Sequence, residues 1–303
     1  MLFRPVNLVI VAVTQFLLEF LILIPALEKG GVAPILDMPH FFLLVLSTVL
    51  IAAGGYVIND IEDVDIDRIN KPERQVVSRK ISVRTAWIYY IGLFFIGLLI
   101  SLYLAVYIDN LPLLAIYPGA WLLLFLYSRY FKKMPLIGNV TVAFFCAFTA
   151  GIVWFAEREA YFNLQTKAPE IFRSLTEVFV IYMFFAFIST LYREIIKDLE
   201  DYRGDSENGC RTLPVVLGMQ KAKTITAVTG MVFLTGILSL PFYFSENDRS
   251  SFGASIFIVL CMFLPLLYSL FLVWKSREKA DYRKNSKLAK YLMAAGILLL
   301  FFL

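Results

Sequence analysis

The chain has 303 residues, 59% of them apolar and only 17% charged, with a mean hydropathy of +0.73, a composition that excludes a soluble globular enzyme. A single histidine, His40, removes histidine-based metal sites and histidine-dependent triads, and the three cysteines, Cys146, Cys210 and Cys261, lie far apart with no CxxC pair, which argues against a disulfide framework or a zinc site. Any bound metal is therefore expected on oxygen ligands, and the net charge of +4 matters less than where the charges sit.

Apolar runs long enough to cross a hydrocarbon core of about 30 Å are expected at roughly 6–27, 41–59, 83–107, 112–130, 138–156, 174–196, 222–244, 253–274 and 288–303. The first has Arg4 before it and no small-residue cleavage site after it, so it is expected to be a retained helix rather than a signal peptide. It carries Gln15 and Glu19 one turn apart, and an ionisable group within hydrocarbon is functional by default. Glu19 faces either a cavity among the helices or the outer interface. Nine spans leave no room for a soluble domain, and 1–303 is expected to be a single transmembrane domain. Allotting the 28 Lys and Arg residues to alternate sides gives 23 on the side of the N-terminus and 5 on the other. That places the N-terminus in the cytoplasm.

The acids are uneven as well. Of 24 Asp and Glu residues, six lie between Asp60 and Glu73 and six between Glu194 and Glu207. Asn59, Asp63 and Asp67 recur at i, i+4, i+8, and Asp198, Asp201 and Asp205 at i, i+3, i+7, so each set shares one face of a continuing helix. Like charges at those spacings destabilise a helix unless a cation lies between them. Both sets begin where an apolar span reaches the cytoplasmic interface, which is not the midplane placement of a proton relay. Mg²⁺ takes few protein carboxylates and leaves positions for substrate phosphates, so an apolar chain with two acidic mouths points to a lipid diphosphate. Arg68, Lys71, Arg74, Arg193, Lys197 and Arg203 are interleaved with the acids. Arg74 and Lys197 are the candidates for phosphate contact.

These residues also carry a family resemblance. Asn59-Asp60-x-x-Asp63-x-x-x-Asp67, followed by Arg68, Asn70, Arg74 and Ser78, resembles the first signature of the UbiA superfamily of intramembrane prenyltransferases. Arg193-Glu194-Ile-Ile-Lys197-Asp198-x-x-Asp201-x-x-x-Asp205, with Gly209, Thr212, Leu213, Pro214 and Gly218, is similar to its second. Arg4-Pro5-x-Asn7, Tyr127-Ser128, Lys132-Lys133 and Gly138-Asn139 are weaker matches. Within the superfamily Arg193 to Asp205 with Thr212-Leu213-Pro214, and Ile66-Asp67-Arg68-Ile69-Asn70, look most like the archaeal-type geranylgeranyltransferases that add a second prenyl chain, as an ether, to a glycerol phosphate lipid.

The resemblance implies an all-α membrane fold of nine helices around a central cavity. It implies transfer of a prenyl group from a prenyl diphosphate, with Mg²⁺ as cofactor. The implied metal ligands are Asn59, Asp63, Asp67, Asp198, Asp201 and Asp205, with Asp63, Asp67, Asp198 and Asp201 central to catalysis. Arg74, Lys197, Asn59, Asp60, Lys132 and Tyr127 are the expected substrate contacts. The partners expected are the diphosphate, a lipid or aromatic acceptor and the bilayer, with no nucleic acid. Tyr56, Tyr127 and Tyr192 are candidates to face a developing allylic cation, and Arg129, Lys132 and Lys133 to hold an acceptor phosphate. The chain departs from the family pattern at Gln75 and Arg79, where a proline and a glycine are usual. A quinone-type aromatic acceptor is the alternative within the same fold. A divalent-cation transporter would need acids near the midplane of several spans, and a CDP-alcohol phosphotransferase would need an Asp-Gly-x-x-Ala-Arg signature that is absent.

Overall fold

The computed structural model describes residues 2–64, 75–246 and 252–302. Among them nine helices are long and apolar enough to cross a membrane. They are α1 (Pro5–Lys29), α2 (Met38–Glu62), α3 (Val83–Tyr107), α4 (Leu111–Arg129, extended by a 3₁₀ turn at Phe131–Lys133), α5 (Ile137–Ala156), α7 (Pro169–Glu207), α9 (Met219–Glu246), α10 (Phe252–Lys275) and α11 (Lys279–Leu298). Two short helices, α6 (Arg158–Lys167) and α8 (Leu213–Leu217), complete the set. The expected spans are all present. The largest difference is α7, whose 39 residues run past the expected end at 196 and carry the second acidic stretch as continuous helix.

Local chemistry sets the ends. Asp37 caps α2 by accepting from the His40 amide at 3.0 Å, with Pro39 in the first turn, and Ser82 caps α3 by accepting from Thr85 at 3.0 Å. α11 opens with a reciprocal capping box between Glu278 and Asp281. The loop before α3 contains a tight turn in which Ser78 takes φ +73° and its amide donates to the Ile81 carbonyl at 2.8 Å. Gln75, where the family resemblance leads one to expect proline, donates from its side chain to the Val64 carbonyl at 2.9 Å.

The described chain divides into two compact units. The first comprises Met1–Phe20, Ile24–Phe131 and Ile152–Pro169, and the second Leu21–Leu23, Lys132–Gly151 and Glu170–Leu303. In the first, glycine lets bulky aromatics seat on neighbouring helices. A Cβ on Gly54 would lie 2.1 Å from the Trp121 ring, and one on Gly97 1.8 Å from the Tyr117 hydroxyl. Val57, Ile58, Ala86, Tyr90, Tyr117 and Trp121 form the core. In the second, Ile188, Tyr192, Ile196, Phe233, Leu266 and Leu292 gather α7, α9, α10 and α11.

Along α1 the helix changes to a π-helical turn at Leu18–Leu23, where the Ile24 amide donates to the Glu19 carbonyl. Such turns are often found at functional sites. Glu19 is 1% exposed, and neither carboxyl oxygen has a hydrogen-bond partner among the described residues. Gln15, one turn earlier, donates to Thr48 Oγ1 at 3.2 Å.

Candidate active site

In the first unit the acidic signature closes α2. Asp63 is the C-terminal cap; its amide donates to the Asn59 carbonyl at 3.0 Å, and Asn59 Nδ2 donates to Asp63 Oδ2 at 2.9 Å. The i, i+4 spacing therefore does put the amide and the carboxylate side by side, half-buried in the last turn. Asp60, one residue on, points around the helix to a different partner. Arg4 Nη2 pairs with its Oδ1 at 3.1 Å while the guanidinium lies over the Tyr56 ring at 4.7 Å, and Asn7 donates to the Tyr56 hydroxyl at 3.1 Å. The Arg4-Pro5-x-Asn7 stretch thus docks on the end of α2. Glu62 pairs with the exposed Arg129 at 3.4 Å, and Tyr127 is half-buried on α4. Asp67 and Arg74 lie outside the described residues.

In the second unit α7 carries Asp198, Asp201 and Asp205, all half-buried. Asn139, near the start of α5 and itself buried, donates to Asp198 Oδ2 at 2.9 Å. Thr212 Oγ1 donates to Asp205 Oδ2 at 3.0 Å. Lys279 stands 3.4 Å from Asp201 Oδ1 and Arg283 donates to Glu200 at 3.0 Å. Lys197 is engaged by Glu194, whose two oxygens meet Lys197 Nζ and Arg193 Nη1, each at 2.7 Å. Lys132 and Lys133 form the 3₁₀ turn before α5, and the Arg211 amide donates to the Lys133 carbonyl at 2.9 Å, which ties that turn to the loop after α7. Tyr192 is fully buried among α9, α10 and α11 rather than at a mouth.

The loop after α7 is built by its glycine. Gly209 has φ +68°, the Cys210 amide donates to the Asp205 carbonyl at 2.9 Å and the Gly209 amide to the Ser206 carbonyl at 3.4 Å, the pattern of a Schellman motif. The helix is stopped there and the chain turned back so that Thr212 meets Asp205. Nothing lies within 4 Å of a Cβ at Gly209, so Gly209→Ala is expected to cost about 1–2 kcal/mol through backbone strain alone, read as a lowered melting temperature.

The donor chemistry fits Mg²⁺. Among the described residues no three His, Cys, Asp or Glu side chains gather into a metal-holding group. Each signature instead offers one to three hard oxygen ligands oriented by an amide or hydroxyl, and Mg²⁺ takes one or two carboxylates from protein when substrate phosphates fill its shell. Asn139 and Thr212 as orienting groups, and Glu194 as the counter-ion of Lys197, emerge only with the fold. The first two stood in weak or flanking matches; for the third the i, i+3 spacing was the available signal.

Residues 17–294 match the family described as the UbiA prenyltransferase family. The chain is 36% identical over 233 residues, 76% of each chain, to digeranylgeranylglyceryl phosphate synthase of Sulfolobus acidocaldarius. It is 34% identical over 265 residues to the enzyme of the same name from Saccharolobus solfataricus, covering 86% of this chain and 83% of that one. A solved structure concerned with digeranylgeranylglyceryl phosphate synthase in membranes superposes with a TM-score of 0.66 at 25% identity, covering 100% of this chain and 97% of that one. A UbiA homologue from Archaeoglobus fulgidus bound to GPP and Mg²⁺ gives 0.53 at 19% identity over 99% and 98%. With nine apolar helices among its described residues and two acidic signatures in its sequence, the chain belongs to the UbiA prenyltransferase family and is a multi-pass membrane prenyltransferase.

Proposed function

We propose that the protein transfers a geranylgeranyl group from its diphosphate to the free hydroxyl of a geranylgeranylglycerol phosphate, forming the second ether of a diether lipid. The observation that carries this reading is the similarity, at 34 and 36% identity, to digeranylgeranylglyceryl phosphate synthases of two archaea. In the reaction the allylic C–O bond to diphosphate breaks and its electrons leave with the diphosphate. The acceptor oxygen then bonds to the allylic carbon and releases its proton.

What bound Mg²⁺ supplies is neutralisation of the leaving diphosphate. Asn59, Asp63 and Asp67 of the first signature and Asp198, Asp201 and Asp205 of the second are the residues that would hold it. Asn139 and Thr212 fix the rotamers of Asp198 and Asp205, so those carboxylates need not reorganise as charge develops. Arg74, Lys197 and Asp60 are assigned to the diphosphate and its metal shell. Tyr127 is assigned to the allylic face, and Lys132 to the phosphate of the acceptor. The excess of Lys and Arg on one side supports a cytoplasmic N-terminus with the reaction at the cytoplasmic face of the cell membrane.

The test is an acceptor competition on purified protein with Mg²⁺ and labelled geranylgeranyl diphosphate, offering geranylgeranylglycerol phosphate and 4-hydroxybenzoate. A labelled diether phosphate is expected. Label only on the aromatic acid would move the protein to the quinone branch, and label on neither would remove the acceptor assignment.

A further inference from the structure

The acidic end of α7 must hold a fixed rotation for Asp198 and Asp201 to serve a diphosphate, and apolar contacts alone specify rotation poorly. In a bilayer, helix association gains little from burying Leu and Ile, because lipid tails are as apolar as the side chains. Six residues before Asp198, at Tyr192, the helix meets a different kind of contact. The Tyr192 hydroxyl is 2.8 Å from Ser269 Oγ on α10, Ser269 Oγ donates to Asn285 Oδ1 on α11, and Asn285 Nδ2 returns to the Ser269 carbonyl at 3.1 Å.

The three side chains are all 0% exposed. Because Ser269 spends its one proton on Asn285, the Tyr192 hydroxyl donates, and the three hydrogen bonds form one directional chain. A satisfied polar network specifies one arrangement where an apolar core would tolerate several. Room for the ring is made by Gly230 of α9, where a Cβ would lie 2.8 Å from Tyr192 Cε2 and 2.5 Å from Leu270 Cδ2. Two further links between α11 and this part of α7, Lys279 with Asp201 and Arg283 with Glu200, join half-exposed cations to the helix surface, and such pairs contribute little. Tyr192 is closed off from any substrate, so its role is not catalytic contact.

We propose that Tyr192, Ser269 and Asn285 are positioning residues: their buried network sets the rotation of α7 and thereby aims Asp198 and Asp201. The proposal rests on the diphosphate reading above.

The experiment compares full-length wild type with Tyr192→Phe, Ser269→Ala, Ser269→Thr and Gly230→Ala. It measures kcat and KM for geranylgeranyl diphosphate, Mg²⁺-dependent binding of labelled diphosphate without acceptor, and melting temperature. Tyr192→Phe and Ser269→Ala are expected to lower kcat/KM about tenfold, the scale of a small misplacement at a reacting centre, and to raise the Mg²⁺ needed for half-maximal diphosphate binding. Ser269→Thr, which keeps the hydroxyl, should restore both. Gly230→Ala keeps every hydrogen-bonding group but displaces the ring, and it should reproduce the kinetic loss. Lowered melting temperatures with unchanged kcat/KM and Mg²⁺ requirement would overturn the proposal, because that is what packing alone predicts. Wild type that binds no diphosphate would instead sink the reading on which the proposal rests, and the proposal with it.

Discussion

Asp63→Asn and Asp198→Asn are each expected to lower prenyl transfer by about 10²–10³-fold, roughly 3–4 kcal/mol of transition-state stabilisation, the scale seen when one preorganised electrostatic group is removed. Asparagine preserves the shape of each carboxylate, so the loss reads charge rather than packing. At residue 63 the exchange also leaves two amides facing each other, since Asn59 Nδ2 already donates to Asp63 Oδ2. At residue 198 the same holds against Asn139. Glu62→Gln is the internal control. Glu62 lies one residue from Asp63 but pairs with the exposed Arg129, and such a pair is worth little. Its turnover should stay within a factor of about two of wild type, the size of effect expected for an exposed pair. The measurement is product formation at saturating prenyl diphosphate, repeated across a Mg²⁺ titration and after EDTA. EDTA should stop transfer and Mg²⁺ restore it. Equal losses at Glu62 and Asp63 would show that a general acidic surface, rather than one helix face, is at work.

How far this site could be foreseen depends on the range of the interactions. Periodicity is local, so the nine spans and the shared face of Asn59 and Asp63 were legible from spacing alone, whereas the Schellman turn at Gly209 was not read from the sequence, where that glycine stood only as part of the second signature. Partners far along the chain were not legible in that way. Asn139 meets Asp198 across 59 residues, Ser269 meets Tyr192 across 77 and Arg4 meets Asp60 across 56. No spacing rule relates such pairs. Tyr192 illustrates the consequence: an aromatic residue beside an acidic motif was a fair candidate for the allylic face, but three helices distant in sequence close over it. The apolar span stopped at 196 because the last turns of α7 are polar and hydropathy marks the part of a helix that lies in lipid; the helix beyond it was carried by the spacing of Asp198, Asp201 and Asp205.

Glu157→Leu is expected to destabilise the first unit by about 4 kcal/mol and Glu157→Gln by about half that, since each buried amide left without an acceptor costs on the order of 1–3 kcal/mol. Glu157 is 0% exposed and accepts from the Ile35 and Leu36 amides, both at 2.7 Å. It thereby straps the connection between α1 and α2 onto α6. The strap is reinforced by Lys167, which donates to the Gly31 carbonyl at 3.1 Å, and by Gly30, where a Cβ would strike Leu164. Leucine leaves both amides without an acceptor; glutamine keeps one acceptor oxygen and turns an N–H toward the other amide. Burial pushes the Glu157 carboxyl upward and the two amides pull it back, with burial the larger effect. The folded protein therefore holds this proton more tightly than the unfolded chain does. Its contribution is full below the ordinary carboxylate range and is lost as pH rises through the raised folded value. The gap in melting temperature between wild type and Glu157→Gln should accordingly widen as pH falls from neutral toward that range. A gap that narrowed instead would mean that the two amides outweigh burial, and a gap absent at every pH would mean that the strap does not hold the unit together.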